Sequence, residues 1–278
     1  MITIPSSYNY ISAFLTFGCN LKCPYCINRQ GKLAHHSLMP ASDWVKGLSR
    51  LETGGIAITI SGGEPTTHPN FYEIVNGVDK PVDLLTNGEF NLGYFMSQIK
   101  PDKFKRSAPY ASIRFSYHPG ITDLNRLLKN VRIMQKKKYS VGIWAVLHPD
   151  YVEKVMEAKR LAEDKHGIDF RVKEFLGYYN ERLYGTYRYP MGLVKKDRGL
   201  MCKGSELLIA PNGNLYRCHQ NLYSGKDSYG NILDKTVRLS DKFMRCETKE
   251  ACNFCDLKEK QNRFQVNGHC AVKIKEIE

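Results

Sequence analysis

Three cysteines within eight residues, Cys19-Asn20-Leu21-Lys22-Cys23-Pro24-Tyr25-Cys26, constrain this chain more than any other stretch. Four cysteines would close all four irons of a [4Fe–4S] cluster, whereas a Cys-x3-Cys-x2-Cys loop leaves one iron open to an external ligand. Structural zinc is the competing reading. It is tetrahedral and usually draws on two separated Cys-x2-Cys pairs, which this spacing does not provide.

The chain has 278 residues, 42% of them hydrophobic, enough for one large domain with a smaller one attached. The start, Met1-Ile2-Thr3-Ile4-Pro5, lacks the charged and apolar regions of a signal peptide, and no stretch has the length of a membrane span, so the expected location is cytoplasmic, away from any membrane. Nine cysteines, an odd number, suit metal or redox sites in a reducing compartment better than a disulfide framework. Lysine and arginine exceed aspartate and glutamate by 41 to 28, a formal charge of +13. That excess would attract an acidic electron donor such as a flavodoxin or ferredoxin, or a phosphorylated substrate. A soluble basic surface explains it equally well, and nucleic acid is not the expected partner.

Apolar, β-rich runs recur along the first two thirds of the chain, at Tyr10 to Phe17, 56–60, 81–85, 113–117, 141–147 and 168–176, and they alternate with helical patterns. Six such units predict a parallel sheet with right-handed crossovers. Chemistry in these folds sits at the C-terminal ends of the strands. The cysteine loop follows the first strand there. Ser61-Gly62-Gly63-Glu64-Pro65 follows the second, with glycines that let backbone groups approach a ligand closely. Asn87, Ser116, His148 and Glu174 fall at later strand ends. His148-Pro149-Asp150 also reads as a turn and helix cap.

The cysteine loop, with the Gly62-Gly63-Glu64 motif one strand later, resembles the radical S-adenosylmethionine (SAM) enzymes. The resemblance implies a partial (β/α)6 TIM-like barrel and a [4Fe–4S] cluster on Cys19, Cys23 and Cys26, with SAM chelating the open iron and yielding a 5′-deoxyadenosyl radical. It places Tyr25 near the adenine, the backbone of Gly62, Gly63 and Glu64 at the SAM amino group, and Ser116 at the carboxylate or ribose. Asn87 joins the cofactor-binding candidates.

The remaining cysteines, Cys202, Cys218, Cys246, Cys252, Cys255 and Cys270, all follow residue 201. Between the first two, residues 207–216 read as a β-hairpin around Asn212-Gly213. This region resembles the SPASM and Twitch auxiliary-cluster domains. In a Twitch domain the matching positions, here Cys202, Cys218, Cys252 and Cys255, hold a second [4Fe–4S] cluster. Cys252, Cys255 and Cys270 also resemble a three-cysteine auxiliary site. Otherwise Cys246 and Cys270 are packed thiols or hydrogen-atom donors, and zinc is the alternative metal for the domain. The expected layout is a barrel at 1–176, an aromatic and basic connector at 177–201, and a small α+β Twitch-like domain at 202–278. In the connector Arg182 is the residue singled out for a role in the site, and Lys195 and Lys196 add charge. Arg182 and Glu174 are the catalytic candidates.

The function expected from these residues is radical oxidation of a small polar molecule, sugar-like or cyclitol-like, with an auxiliary cluster taking an electron. Modification of a ribosomally made peptide by cross-linking or epimerisation is the runner-up. A non-enzymatic zinc or electron-transfer protein is the third reading.

Overall fold

The computed structural model describes residues 1–29, 37–194, 199–260 and 270–277. Lys195 and Lys196 lie outside them.

The predicted alternation is present. Strands β1 (Tyr10–Thr16), β2 (Ile58–Gly62), β3 (Val82–Thr86), β4 (Ile113–Tyr117), β5 (Val141–Leu147) and β6 (Phe170–Glu174) are neighbours in that order in one sheet, all parallel. Every residue of β1 is buried, as expected of a parallel strand covered on both faces. Between the strands run α1 (Ala41–Ser49), α2 (Phe71–Gly77), α3 (Leu92–Gln98), α4 (Leu124–Lys136) and α5 (Val152–His166). Helix α4 shows how the sequence sets these boundaries. Asp123 accepts the Arg126 amide at 3.1 Å as N-cap, and Leu127, Leu128, Val131 and Met134 form the buried stripe. Gly167 ends α5 in the left-handed conformation, φ +60°.

The second strand lies two residues later than expected, so Gly62 ends the strand rather than opening the loop. The connector is not wholly irregular: Gly177–Tyr179 and Arg182–Tyr184 form a short antiparallel hairpin.

After it come β7 (Leu200–Gly204), β8 (Glu206–Ile209), β9 (Leu215–Tyr216), α6 (His219–Ser224), β10 (Met244–Cys246), α7 (Phe254–Leu257) and β11 (Val272–Glu276). The predicted hairpin is β8 with β9, turning at Gly213 with φ +83°. Its first strand pairs in parallel with β1, Glu206 opposite Tyr10 and Ile209 opposite Ala13. The hairpin therefore extends the barrel sheet to eight strands, and a boundary at residue 202 does not separate two independent sheets. The smaller sheet of the C-terminal region has the order β10, β7, β11, antiparallel throughout. No helix among the described residues is long and apolar enough to cross a membrane.

Candidate functional site

A cavity of about 540 Å³ lies at the C-terminal ends of the parallel strands. Cys19, Cys23, Tyr25 and Cys26 form one side of it, Ser61 to Glu64, Asn87 and Ser116 another, and His219, Tyr223, Cys255, Lys258 and Lys260 close it from the C-terminal region. The topology thus brings together every residue predicted for the first cluster and its SAM.

The cysteine loop is held by backbone contacts that only glycine permits. The Gly63 amide donates to Thr16 O at 2.7 Å and the Glu64 amide to Gly18 O at 2.8 Å. A Cβ on Gly62 would stand 2.2 Å from Thr16 O, and one on Gly63 2.1 Å from Gly18 O. These glycines admit the end of β1 and the backbone that follows it. The Gly63 and Glu64 amides are engaged, and a ligand amino group, itself a donor, would pair with carbonyl oxygen at this motif.

Glu64 is 1% exposed, and its carboxylate accepts Thr66 Oγ1 at 2.6 Å, Thr86 Oγ1 at 2.7 Å and the Asn87 amide at 2.7 Å. Burial raises its pKa, and these hydrogen bonds oppose the rise. The side chain is a bracket joining the ends of β2 and β3. Asn87 Nδ2, placed by that bracket, donates to Asn20 Oδ1 at 2.7 Å and stands 3.9 Å from Cys19 Sγ.

Tyr25 Oη lies 3.1 Å from His118 Nδ1, and its ring packs beside His148 and Tyr151. Burial, with the Cys23 charge second, raises the Tyr25 phenol. Burial lowers His118 to about 4. His148 accepts the Asp150 amide at 3.3 Å, the cap expected of it, while its ring faces Tyr179 and Phe175.

The two catalytic candidates part company. Glu174 lines the cavity, its carboxylate accepting the Thr186 amide at 3.0 Å and Thr186 Oγ1 at 2.7 Å. Arg182 sits on the exposed hairpin with its guanidinium 5.1 Å from the Tyr184 ring centre, and it does not line the cavity. Sequence reasoning missed His118 and Asn28. Asn28 donates to Gly62 O at 3.0 Å and accepts Tyr223 Oη at 2.5 Å, tying the glycine motif to α6. The available signals were a histidine two residues past Ser116 and an amide two residues past Cys26.

A second, small cavity of about 20 Å³ lies in the C-terminal region, lined by Cys202, Cys218, Cys246 and Cys252 together with Arg217, Asn221 and Asp256. Three of the four predicted auxiliary ligands meet there, and the fourth, Cys255, lines the large cavity. Burial raises the Cys218 thiol well above its ordinary value, with Asp256 adding to the effect, so binding a metal there must expel a proton. Cys270 is a buried thiol donating to Asp256 O at 3.0 Å. Among the described residues no three Cys, His, Asp or Glu side chains converge on one metal ion. A four-iron cluster asks for less convergence, because each thiolate serves a different iron.

Both donor sets fit iron–sulfur chemistry. At the first site the Leu21 amide reaches Cys19 Sγ at 3.4 Å. At the second the Asn221 amide reaches Cys218 Sγ at 3.4 Å, and a buried arginine faces the thiols.

Residues 14–115, which hold the cysteine loop and the first four strands, match the Radical SAM superfamily model. Over that stretch, a little over a third of its length, the chain is similar to the radical SAM superfamily. A GTP 3′,8-cyclase from Peptoclostridium acidaminophilum is 31% identical over 106 residues, 35% of this chain and 32% of the cyclase. The chain therefore spans about a third of that relative's length. Among solved structures, Streptococcus suis SuiB bound to precursor peptide SuiA superposes with TM-score 0.59 at 15% identity, covering 84% of this chain and 64% of SuiB. Native anSMEcpe with bound AdoMet gives 0.55 at 18% identity, covering 82% of this chain and 79% of that one. At these identities the two structures establish the fold alone.

Proposed function

We propose that this protein oxidises a small polar molecule, of sugar or cyclitol size, by radical SAM chemistry with help from an auxiliary [4Fe–4S] cluster. The observation that carries the reading is the shared cavity. Cys19, Cys23 and Cys26 face the same space of about 540 Å³ as Lys258 and Glu174, a volume typical of small-ligand sites. Loaded with a cluster on those three cysteines, SAM, and a second cluster on the C-terminal cysteines, the sites would supply a 5′-deoxyadenosyl radical and an acceptor for the second electron of an oxidation.

The chain's own residues account for the rest. Tyr25 and His118, with His148 packed behind Tyr25, form an aromatic wall beside the last cysteine that suits an adenine and excludes water. Lys173 and Lys258 give the cavity a cationic side, which suits a phosphate or carboxylate on the substrate, while Lys260 is paired with the buried Glu206. Glu174, fixed by Thr186, presents a carboxylate to take the proton released as a C–H carbon is oxidised. The net charge of +13 suits reduction by an acidic flavodoxin or ferredoxin.

Peptide modification is the second reading, supported by the likeness to SuiB, which was solved with its precursor peptide. The test is 5′-deoxyadenosine release by anaerobically reconstituted protein with SAM and dithionite, in the presence of hydroxylated or phosphorylated small molecules or of peptides. A small molecule that stimulates release and loses two hydrogens supports the proposal. Stimulation by peptides alone overturns it in favour of the second reading.

A further inference from the structure

The two cysteines of Cys252-Asn253-Phe254-Cys255 face different spaces. Asn253 Oδ1 accepts the Cys255 amide at 2.9 Å and starts α7. Within that turn neighbouring side chains point about 100° apart. The orientation is locked by Asp256, 1% exposed, whose carboxylate accepts the His219 amide at 2.8 Å, the Gln220 amide at 3.0 Å and lies 2.9 Å from His219 Nδ1. With Asp256 turned toward α6, Cys255 turns into the large cavity, 4.0 Å from Lys258 Nζ.

The small cavity has its own fourth cysteine. In the antiparallel pair of β7 and β10, Cys202 is opposite Met244 and Leu200 opposite Cys246. Cys202 and Cys246 are therefore diagonal neighbours on one face of the sheet, within reach of a common ligand. Cys202 packs with Cys218, Cys246 and Cys252 in one apolar cluster. Two further features of this cavity point to an occupant. Asn221 Nδ2, on a side chain 1% exposed, has no hydrogen-bond partner among the described residues, although Asn221 Oδ1 accepts Thr248 Oγ1 at 3.2 Å. An amide N–H stranded beside four sulfurs is a ready donor to a cluster sulfide or thiolate. Arg217, 6% exposed, supplies a positive charge opposite a cluster that four thiolates make anionic. At about 20 Å³ the space is tight, so loading requires the thiols to turn outward.

We infer that Cys246, in place of Cys255, completes the auxiliary ligand set with Cys202, Cys218 and Cys252, and that Cys255 keeps a free thiol facing the substrate cavity. The inference rests on the auxiliary cluster proposed above, and the experiment separates the two. In a Cys19→Ala/Cys23→Ala/Cys26→Ala background, iron, acid-labile sulfide and the reduced-cluster EPR signal are measured after reconstitution, alone and with Cys246→Ala or Cys255→Ala added. The background and its Cys255→Ala derivative are expected to hold about four irons per chain with the same EPR signal, and the Cys246→Ala derivative to lose iron or change its signal. Loss of iron on Cys255→Ala, or an unchanged signal on Cys246→Ala, overturns the assignment. No iron in the background itself removes the auxiliary cluster, and the assignment with it.

Unsubstituted protein gives a readout free of folding effects. Anaerobic iodoacetamide treatment of the cluster-loaded chain, mapped by mass spectrometry, is expected to label Cys255 and spare Cys246. The reverse pattern contradicts the inference.

Discussion

The Tyr25 hydroxyl and His118 Nδ1 stand 3.1 Å apart, joining the cysteine loop to the segment after β4. Burial keeps the phenol protonated and holds His118 at about 4, so at neutral pH the phenol donates and Nδ1 accepts. The unfolded chain binds a proton at this histidine near its ordinary value of about 6.5, the folded chain only near 4. Between those values the unfolded state holds more protons, so stability falls as pH falls. In cluster-free protein His118 is expected to remove about 3 kcal/mol of stability between pH 7 and pH 4. Urea denaturation across that range, compared with His118→Phe, checks this: the variant should have the flatter profile, and parallel profiles would count against a buried neutral imidazole.

Glu64 should matter to the cluster without touching it. Replacement by alanine strands the Asn87 amide and the Thr86 hydroxyl, and is expected to cost about 3 kcal/mol. The same change frees Asn87 from its place near Cys19, so iron retention after reconstitution should drop as well. Denaturation midpoint and iron content are the two readouts; an unaltered midpoint would show that the bracket bears no strain.

Two glycines make a paired test. Gly63→Ala forces a Cβ to 2.1 Å from the Gly18 carbonyl oxygen, a backbone clash that cannot relax by side-chain rotation. It is expected to destabilise the chain by about 3 kcal/mol and to abolish iron binding at the first site. Gly93→Ala lies in α3, where the nearest atom is Asn91 Oδ1 at 3.5 Å, and should be neutral or stabilising by about 0.5–1 kcal/mol. Thermal denaturation separates the two.

Asn28 connects the barrel to α6. Asn28→Ala removes both its bond to Gly62 O and the acceptor for Tyr223 Oη, and is expected to cost about 2 kcal/mol and weaken SAM binding several-fold. Equilibrium dialysis with labelled SAM on reconstituted protein measures it; wild-type affinity would restrict Asn28 to a structural tie.

What the sequence made legible was local. The three cysteines lie within one loop, and the hydrophobic periods of β1 to β6 are set by residues a few positions apart, so spacing alone predicted both. The parallel pairing of Glu206–Ile209 with β1 joins segments nearly two hundred residues apart, and no local pattern encodes it. The same holds for direction. Cys252 and Cys255 look equivalent in the chain, and only the contacts of Asp256 with α6 turn one of them away from the other. Arg182 had the right chemistry for a site, but the positive φ of Asn180 and Glu181 closes a hairpin that carries it to the surface. Glu64 was legible as a motif residue, while two of the partners that consume its carboxylate, Thr86 and Asn87, were not, because they come from the end of β3, more than twenty residues on.

The most direct test of the account is reductive cleavage of SAM. Anaerobically reconstituted wild-type protein, given dithionite and SAM, should produce 5′-deoxyadenosine, and Cys23→Ala, which removes a buried member of the loop, should produce none above the protein-free rate. Equal yields from the two proteins, or none from a wild type carrying about eight irons, would contradict the assignment of Cys19, Cys23 and Cys26 as the SAM-cleaving centre.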